Sequence, residues 1–374
     1  MRNLIILFLM LLSVALNSCR EDIVIVASQG SKVTEPRDTG IAGFYLLNEG
    51  NMGSNKCTLD YFDEKTGFYN SNIYAERNPS SVKELGDVGN DIQIFGSKLY
   101  AVINCSHKVD VMNAKDATKI GQIDIPNCRY IRGYKKWVYV SSYVGGTQLD
   151  PKAPKGMVYK VDTLSLKIVG QVEVGYQPEE MTIIDNCLYV ANSGGYRAPN
   201  YDNTITVINL DTFMKVNTIM VADNLHRMVA DKYGRLWVSN RSDSYGNKSG
   251  LHIIDTKTMQ VTKSFSIPTD NMTIQGDSIY IFGAEKNRTG KNVIKYTIIN
   301  VKNSEIVNDN FITDGTNTKI KVPYGIAVHR VTKEIYITDA KNYVVSGTLY
   351  CFDKNGSLKW SHVVGNIPAH FAFN

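Results

Sequence analysis

An all-β fold is predicted: a seven-bladed β-propeller of four-stranded blades, its ring closed by the C-terminal strand. Three observations predict it. A short apolar run with an aromatic near its start recurs at Tyr45, Tyr100, Tyr139, Tyr189, Trp237, Tyr280 and Tyr336. The spacing averages near the ~40–50 residues of a propeller blade. No stretch carries a helical apolar period, while period-2 alternation and turn residues are everywhere. The first repeat lacks an opening strand, and the chain ends on a segment that looks like one.

Taken in order, the chain begins with Arg2 and an apolar run from Leu4 to Leu12. That run is too short to span a bilayer and reads as a signal peptide, residues 1–18. Leu16-Asn17-Ser18-Cys19 places a small residue before a cysteine, in the manner of a bacterial lipobox. Cys19 is therefore expected to carry lipid as the mature N-terminus. Membrane attachment would then be through the acyl chains alone. Residues 19–40 are expected to be a lipidated N-terminus and tether, with linker-like Ser28–Ser31 and Pro36–Gly40. Ile23–Val26 breaks that composition; packing on the domain and an added edge strand both stay open.

Residues 41–374 carry the repeat. Each aromatic strand stops at a polar or small residue: Asn48, Asn104, Ser142, Asn192, Asn240, Gly283 or Asp339. A variable loop follows, then a second strand ending on Asp63, Asn113, Asp162, Asp211, Asp255, Asn300 or Asp353. Such residues suit tight hairpins. A third strand comes next, as in Ile168–Val174, Val216–Val221 and Val261–Ile267. An opening strand precedes the aromatic one, as in Glu180–Ile184, Arg227–Ala230, Met272–Ile274 and Gly325–His329. Four-stranded units of this kind arrange radially. Ile367–Phe373 resembles the opening strands elsewhere, such as Val322–Ala327, and this C-terminal segment is expected to supply the first blade's missing inner strand, which removes the open end of the ring.

The formal net charge of +5 is scattered without a basic block, so nucleic acid is not indicated. Beyond Cys19, an odd set of cysteines (Cys57, Cys105, Cys128, Cys187 and Cys351) has no tight spacing. They read as small buried hydrophobes, with a Cys105–Cys128 bridge the one pairing left open.

On a propeller, the loops between second and third strands meet the blade-to-blade connections on one face around the channel. Here that face collects many of the 22 tyrosines with guanidinium and amide donors. The candidate ligand-binding residues are Tyr143, Tyr176, Asn192, Tyr196, Arg197, Tyr201, Arg227, Asn240, Arg241, Tyr245, Tyr324 and Tyr343. Rigid aromatics beside such donors suit a large, flat, amide-rich or sugar-like ligand. The loop Ser193–Asn203 is the first place to look.

Enzyme signals are poor. No two of His107, His226, His252, His329, His362 and His370 form a close metal-ligand pair in the sequence, though His226 and His370 open inner strands and could face the channel. Glu179 and Glu180 are adjacent in a strand, which would send them to opposite faces and rule out a joint acid–base role. Gly145-Gly146 and Gly194-Gly195 lack the Lys-Ser/Thr of a phosphate loop. No catalytic residue and no cofactor are expected.

Leu188-Tyr189-Val190-Ala191-Asn192 resembles the YVTN-type propeller repeat. FYLLNEGNMGSNKCTLDYFDEKTG (Phe44–Gly67) and LGDVGNDIQIFGSKLYAVINCSHKVDVMNA (Leu85–Ala114) resemble Bacteroidetes lipoprotein propellers. The best-known members of that group are the surface cobalamin-binding proteins called BtuG. The likeness runs from Gly43 to the C-terminus and includes the lipidated N-terminus. It implies a protein on the outer face of the outer membrane that captures cobalamin (vitamin B12) and related corrinoids. The captured ligand would pass to a TonB-dependent transporter of the BtuB kind. Exported surface lipoproteins of the Bacteroidetes often carry an acidic run just after the lipidated cysteine; here Arg20-Glu21-Asp22 is a weak version of it. The resemblance brings no residue-level corrinoid motif, so the candidate site rests on loop geometry. A glycan- or protein-binding module and a metal-dependent hydrolase or lactonase stay open as alternatives.

Overall fold

The computed structural model describes residues 28–286 and 292–374. The expected signal peptide, Cys19 and Ile23–Val26 lie outside the described residues. The described chain forms seven antiparallel sheets, each with its strands in radial order. The inner strands of blades 1 to 7 are Pro368–Phe373, Gly89–Phe95, Cys128–Tyr134, Pro178–Ile184, Leu225–Ala230, Asn271–Gln275 and Pro323–Val328. Blade 4 shows the frame: Pro178–Ile184, Cys187–Asn192, Thr204–Asn209 and Met214–Met220 from channel to rim. The final strand pairs with the first blade's aromatic strand, Phe44 opposite Phe373 and Leu47 opposite His370. The ring is thus closed by the C-terminal strand.

Burial follows radial position. Gly43–Asn48 is buried at every residue, because neighbouring blades cover both faces of a second strand. The outermost Gln260–Phe265 is almost wholly exposed. Six of the seven marker aromatics are buried between blades; Tyr280 is half-buried. Tyr45, for instance, packs on Tyr61 and on Ile92 and Leu99 of blade 2, and its hydroxyl donates to the Ala114 carbonyl at 3.0 Å.

The polar residues ending the aromatic strands are pegs. Asn192 Nδ2 donates to Thr204 and Thr206 while its Oδ1 accepts from Gly175 N. The Asp339 carboxylate accepts from the amides of Lys321, Val322 and Lys341. At the hairpin turns, Asp63, Asn113, Asp162, Asp255, Asn300 and Asp353 each accept from an amide two residues on. In blade 4 that role falls to Asn209, not Asp211; Asp211 reaches back to Lys135 and Asn186.

Three expectations need correction. Residues 28–40 are not a free tether. Gln29–Lys32 adds a fifth strand outside Phe68–Ser71. Arg37 then pairs with Glu64 of blade 1 and Glu334 of blade 7, and Thr39 donates to Glu64. The polar composition that reads as linker is a set of partners for buried carboxylates. Second, a helix exists, Ile73–Arg77, too short to show a period in sequence and held by buried Ile73, Tyr74 and Ala75. Third, the aromatic strand of blade 6 does not stop at Gly283 but runs from Ser278 to Lys286. That glycine serves a close approach, since a Cβ there would lie 2.3 Å from the Pro268 carbonyl. The one cysteine pairing left open does not form: all five described cysteines are free, with Cys57, Cys128 and Cys351 buried.

Candidate ligand-binding face

Five inner strands are entered through a left-handed residue at the same place: Val88, Asn127, Gln177, Asn224 and Ile367 (φ between 42 and 61°). Two residues later comes the first side chain to reach the channel: Asn90, Arg129, Glu179 and His226 at the mouth, and Ala369 deeper. Pairing registers shift just there, between Gly89 and Asp91, Pro178 and Met181, and Leu225 and Met228. A bulge of this kind re-aims side chains. It brings consecutive residues to the channel, Glu179 at the mouth and Glu180 deeper. The alternation expected for an unbroken strand does not hold at this pair.

Two adjoining depressions, which share wall residues, open on the looped face. One, of about 620 Å³, is lined by Glu49, Arg129, Tyr130, His226, Arg227, Arg241, Asp270, Tyr324 and Tyr343 among others. The second, of about 480 Å³, shares Glu49, Arg129 and Arg241 and adds Tyr143, Glu179, Tyr196 and the exposed apolar side chains Met52 and Leu149. Beneath them a further cavity of about 420 Å³ follows the channel, with Asp91, Arg132, Glu180 and Arg227 in its wall.

Glu179 ties the mouth together. It is buried and accepts from Arg129 at 3.1 Å, Arg241 at 3.1 Å and the Tyr143 hydroxyl at 2.6 Å. Burial alone would raise its pKa; the two guanidinium charges and the phenol outweigh that and hold it at about 2. Arg129 also lies over the Tyr143 ring, 4.7 Å from its centroid, and Tyr143 meets Tyr196 edge-on at 5.2 Å. Across the mouth, Glu49 accepts from Tyr324 Oη at 2.8 Å and lies 3.2 Å from His370 Nε2. Tyr324 and Tyr343 meet edge-on at 6.0 Å. His226 is pushed well below the ordinary imidazole range by burial and then by the charges of Arg241, Arg227 and Arg129.

Of the twelve candidates, Tyr143, Tyr196, Arg227, Arg241, Tyr324 and Tyr343 come together around these depressions. The other six do not. Asn192 is fully buried and spent on its peg contacts. Asn240 likewise bonds the Lys248 carbonyl and His252. Arg197 stacks on Tyr176 at 4.0 Å, outside both depressions. Tyr201 stands beside Asp243, and Tyr245 is 65% exposed on the same outer part of the loops. Only Tyr196 of the loop Ser193–Asn203 therefore reaches the depressions with its side chain, though Gly195 lines the second one as well.

Sequence reasoning missed Glu49, Arg129, Tyr130, Glu179 and Asp270 as site residues, while His226 and His370 do face the channel as expected. The available signal was positional: several open an inner strand directly after a blade-to-blade turn. Among the described residues, no group of three or more His, Cys, Asp or Glu side chains is placed to hold a metal ion. No described helix is long and apolar enough to cross a membrane.

A family model described as "Domain of unknown function (DUF5074)" matches residues 42–374. No curated protein sequence matches the chain. Solved structures with the same fold include a quinonprotein alcohol dehydrogenase-like protein from Bacteroides thetaiotaomicron, 14% identical with a TM-score of 0.61 over 89% of this chain and 78% of that one. A putative 6-phosphogluconolactonase from Bacteroides fragilis is 11% identical, TM-score 0.61, over 90% and 99%. BamB from Moraxella catarrhalis is 13% identical, TM-score 0.50, over 93% and 90%. At these identities the likeness is one of fold.

Proposed function

The chain belongs to the DUF5074 family, and on that premise we propose that it is a lipid-anchored surface propeller that captures cobalamin and related corrinoids and delivers them to a TonB-dependent outer-membrane transporter. The observation that supports this reading most is the pair of adjoining depressions on the looped face, which together make one broad surface. It is walled by Tyr143, Tyr196, Tyr324 and Tyr343, with guanidinium donors from Arg129, Arg227 and Arg241. A corrin ring is a broad disc fringed with amides. Its carbonyls take hydrogen bonds from guanidiniums and phenols, and its face packs on aromatic and apolar side chains such as Met52 and Leu149.

Calorimetric titration with cyanocobalamin tests the proposal. Wild type binds, Tyr324→Ala and Arg241→Ala each weaken binding by about tenfold or more, and the outlying Tyr245→Ala leaves it unchanged. No heat and no spectral change at micromolar ligand would end the corrinoid reading. A metal-dependent propeller hydrolase or lactonase is the alternative of a different class. A stoichiometric divalent ion in the purified protein would favour it.

A further inference from the structure

The neck between the mouth and the channel holds a guanidinium whose hydrogen-bonding capacity the protein leaves largely unused. Arg227 is 7% exposed and lines both the 620 Å³ depression and the 420 Å³ cavity below it. Among the described residues, only its Nη1 donates, to the Tyr130 hydroxyl at 3.2 Å, and the guanidinium lies 5.7 Å from that ring's centroid. Its Nε is buried without a partner. No described carboxylate comes within salt-bridge distance of it.

The nearby carboxylates are engaged elsewhere. Asp91 accepts from Arg132 at 2.7 Å and from the Ile131 amide. Glu180 accepts from Arg132 at 2.6 Å and from the Met228 amide at 3.0 Å. Glu179 is held by Arg129 and Arg241, and Glu49 by Tyr324 and His370. Asp270 accepts from the Ala284 amide. Apart from its bond to Tyr130, Arg227 is acted on by Glu180, Tyr324 and Glu49 only through space, at longer range. What the neck lacks is an acceptor in contact. His226 Nδ1, beside Arg227 in the chain, is also buried without a partner. Burying donors without acceptors is costly, so an arrangement of this kind is suited to a ligand that supplies them.

We propose that this neck is an oxyanion subsite, in which Arg227 receives a phosphate-type group of the molecule captured on the looped face. The proposal rests on the reading of that face as a capture site and is independent of the ligand being a corrinoid. The phosphate can belong to a larger ligand, as the phosphodiester of a cobalamin nucleotide loop does, or be a free inorganic ion.

The test uses the full chain with two kinds of probe. Inorganic phosphate and sulfate are titrated against chloride at matched ionic strength, by calorimetry and thermal shift. Cyanocobalamin is compared with cobinamide, a corrinoid without the phosphodiester, in wild type and in Arg227→Gln. The expected results are a phosphate heat and thermal shift absent with chloride, and cobalamin preferred over cobinamide by about tenfold or more. Both effects collapse in Arg227→Gln. If that variant fails to fold, judged by circular dichroism, the wild-type arms decide alone. Phosphate binding without corrinoid binding supports the subsite and ends the corrinoid reading. Corrinoid binding with equal affinity for cobalamin and cobinamide, and no response to phosphate, overturns the subsite and leaves the corrinoid reading standing.

Discussion

At Glu179 two guanidiniums and a phenol converge on one buried carboxylate, and the mouth of the channel depends on that convergence. Removing its charge leaves Arg129 and Arg241 facing each other in a poorly solvated place. Glu179→Gln is expected to cost about 3 kcal/mol or more of stability, by analogy with breaking other buried pairs. Urea denaturation measures it; a loss under ~1 kcal/mol would mean solvent screens this cluster as it does exposed pairs. The acid limb of stability follows from the same residues. His226 is depressed below its ordinary 6.5, so it favours the folded state only while neutral. Stability should therefore begin to fall as pH drops below 6.5, by at most about 1.4 kcal/mol per pH unit for one group. Glu179 and Glu64, both held at about 2 against an ordinary 4.5, add a steeper loss between pH 4.5 and 2. His252 and His362, also lowered by burial, share the first limb, so His226→Gln should make it shallower without abolishing it and leave the second unchanged; melts across pH check both. These residues were hard to read from sequence. Asn192 and Asn240 look like donors and serve as pegs, because a strand-end amide is taken up by the neighbouring strand and the loop it opens, Thr204 and Thr206 for Asn192 and Lys248 and His252 for Asn240. Glu179 looks like half of an idle carboxylate pair, because a bulge cannot be seen in residue types.

At the scale of elements, the fold was legible because the blade repeats and its outlines are chemical. A buried aromatic, a polar peg and an Asx turn recur in order, so strand identity and ring closure could be read from the chain alone. Irregular pieces could not. Gln29–Lys32 and Ile73–Arg77 occur once and carry no period, and Gly283 marks a tight contact where a strand end was expected. Closure carries a prediction. Pro368–Phe373 is the inner strand of blade 1 and packs between blades 2 and 7, so its loss would open the ring and uncover the core around Phe44. Deleting Pro368–Asn374 should lower the melting temperature sharply or abolish cooperative unfolding. An unchanged calorimetric melt would show that residues 28–40, which also bridge blades 1 and 7 through Arg37, suffice to hold the ring.

At the scale of the whole molecule, the looped face is a broad, Tyr-walled depression on a rigid ring, with its guanidiniums fixed from below by inner strands. Preformed donors of that kind favour tight capture, since little side-chain freedom is lost on binding. Anchoring is the other half of the proposed role. Cys19→Ser should release the protein from the membrane fraction while leaving corrinoid affinity of the domain unchanged. Wild type and variant partitioning alike would remove the lipid anchor from the account. The face was legible in outline, as loops rich in Tyr and Arg, whereas its floor was not, since Arg129 and Glu179 open inner strands in segments that read as frame. The central claim is tested most directly by incubating the purified propeller with cyanocobalamin, desalting it and recording the visible spectrum. Retained red colour at one corrinoid per chain, lost in Tyr324→Ala, is the predicted result; a colourless wild-type protein would contradict the account.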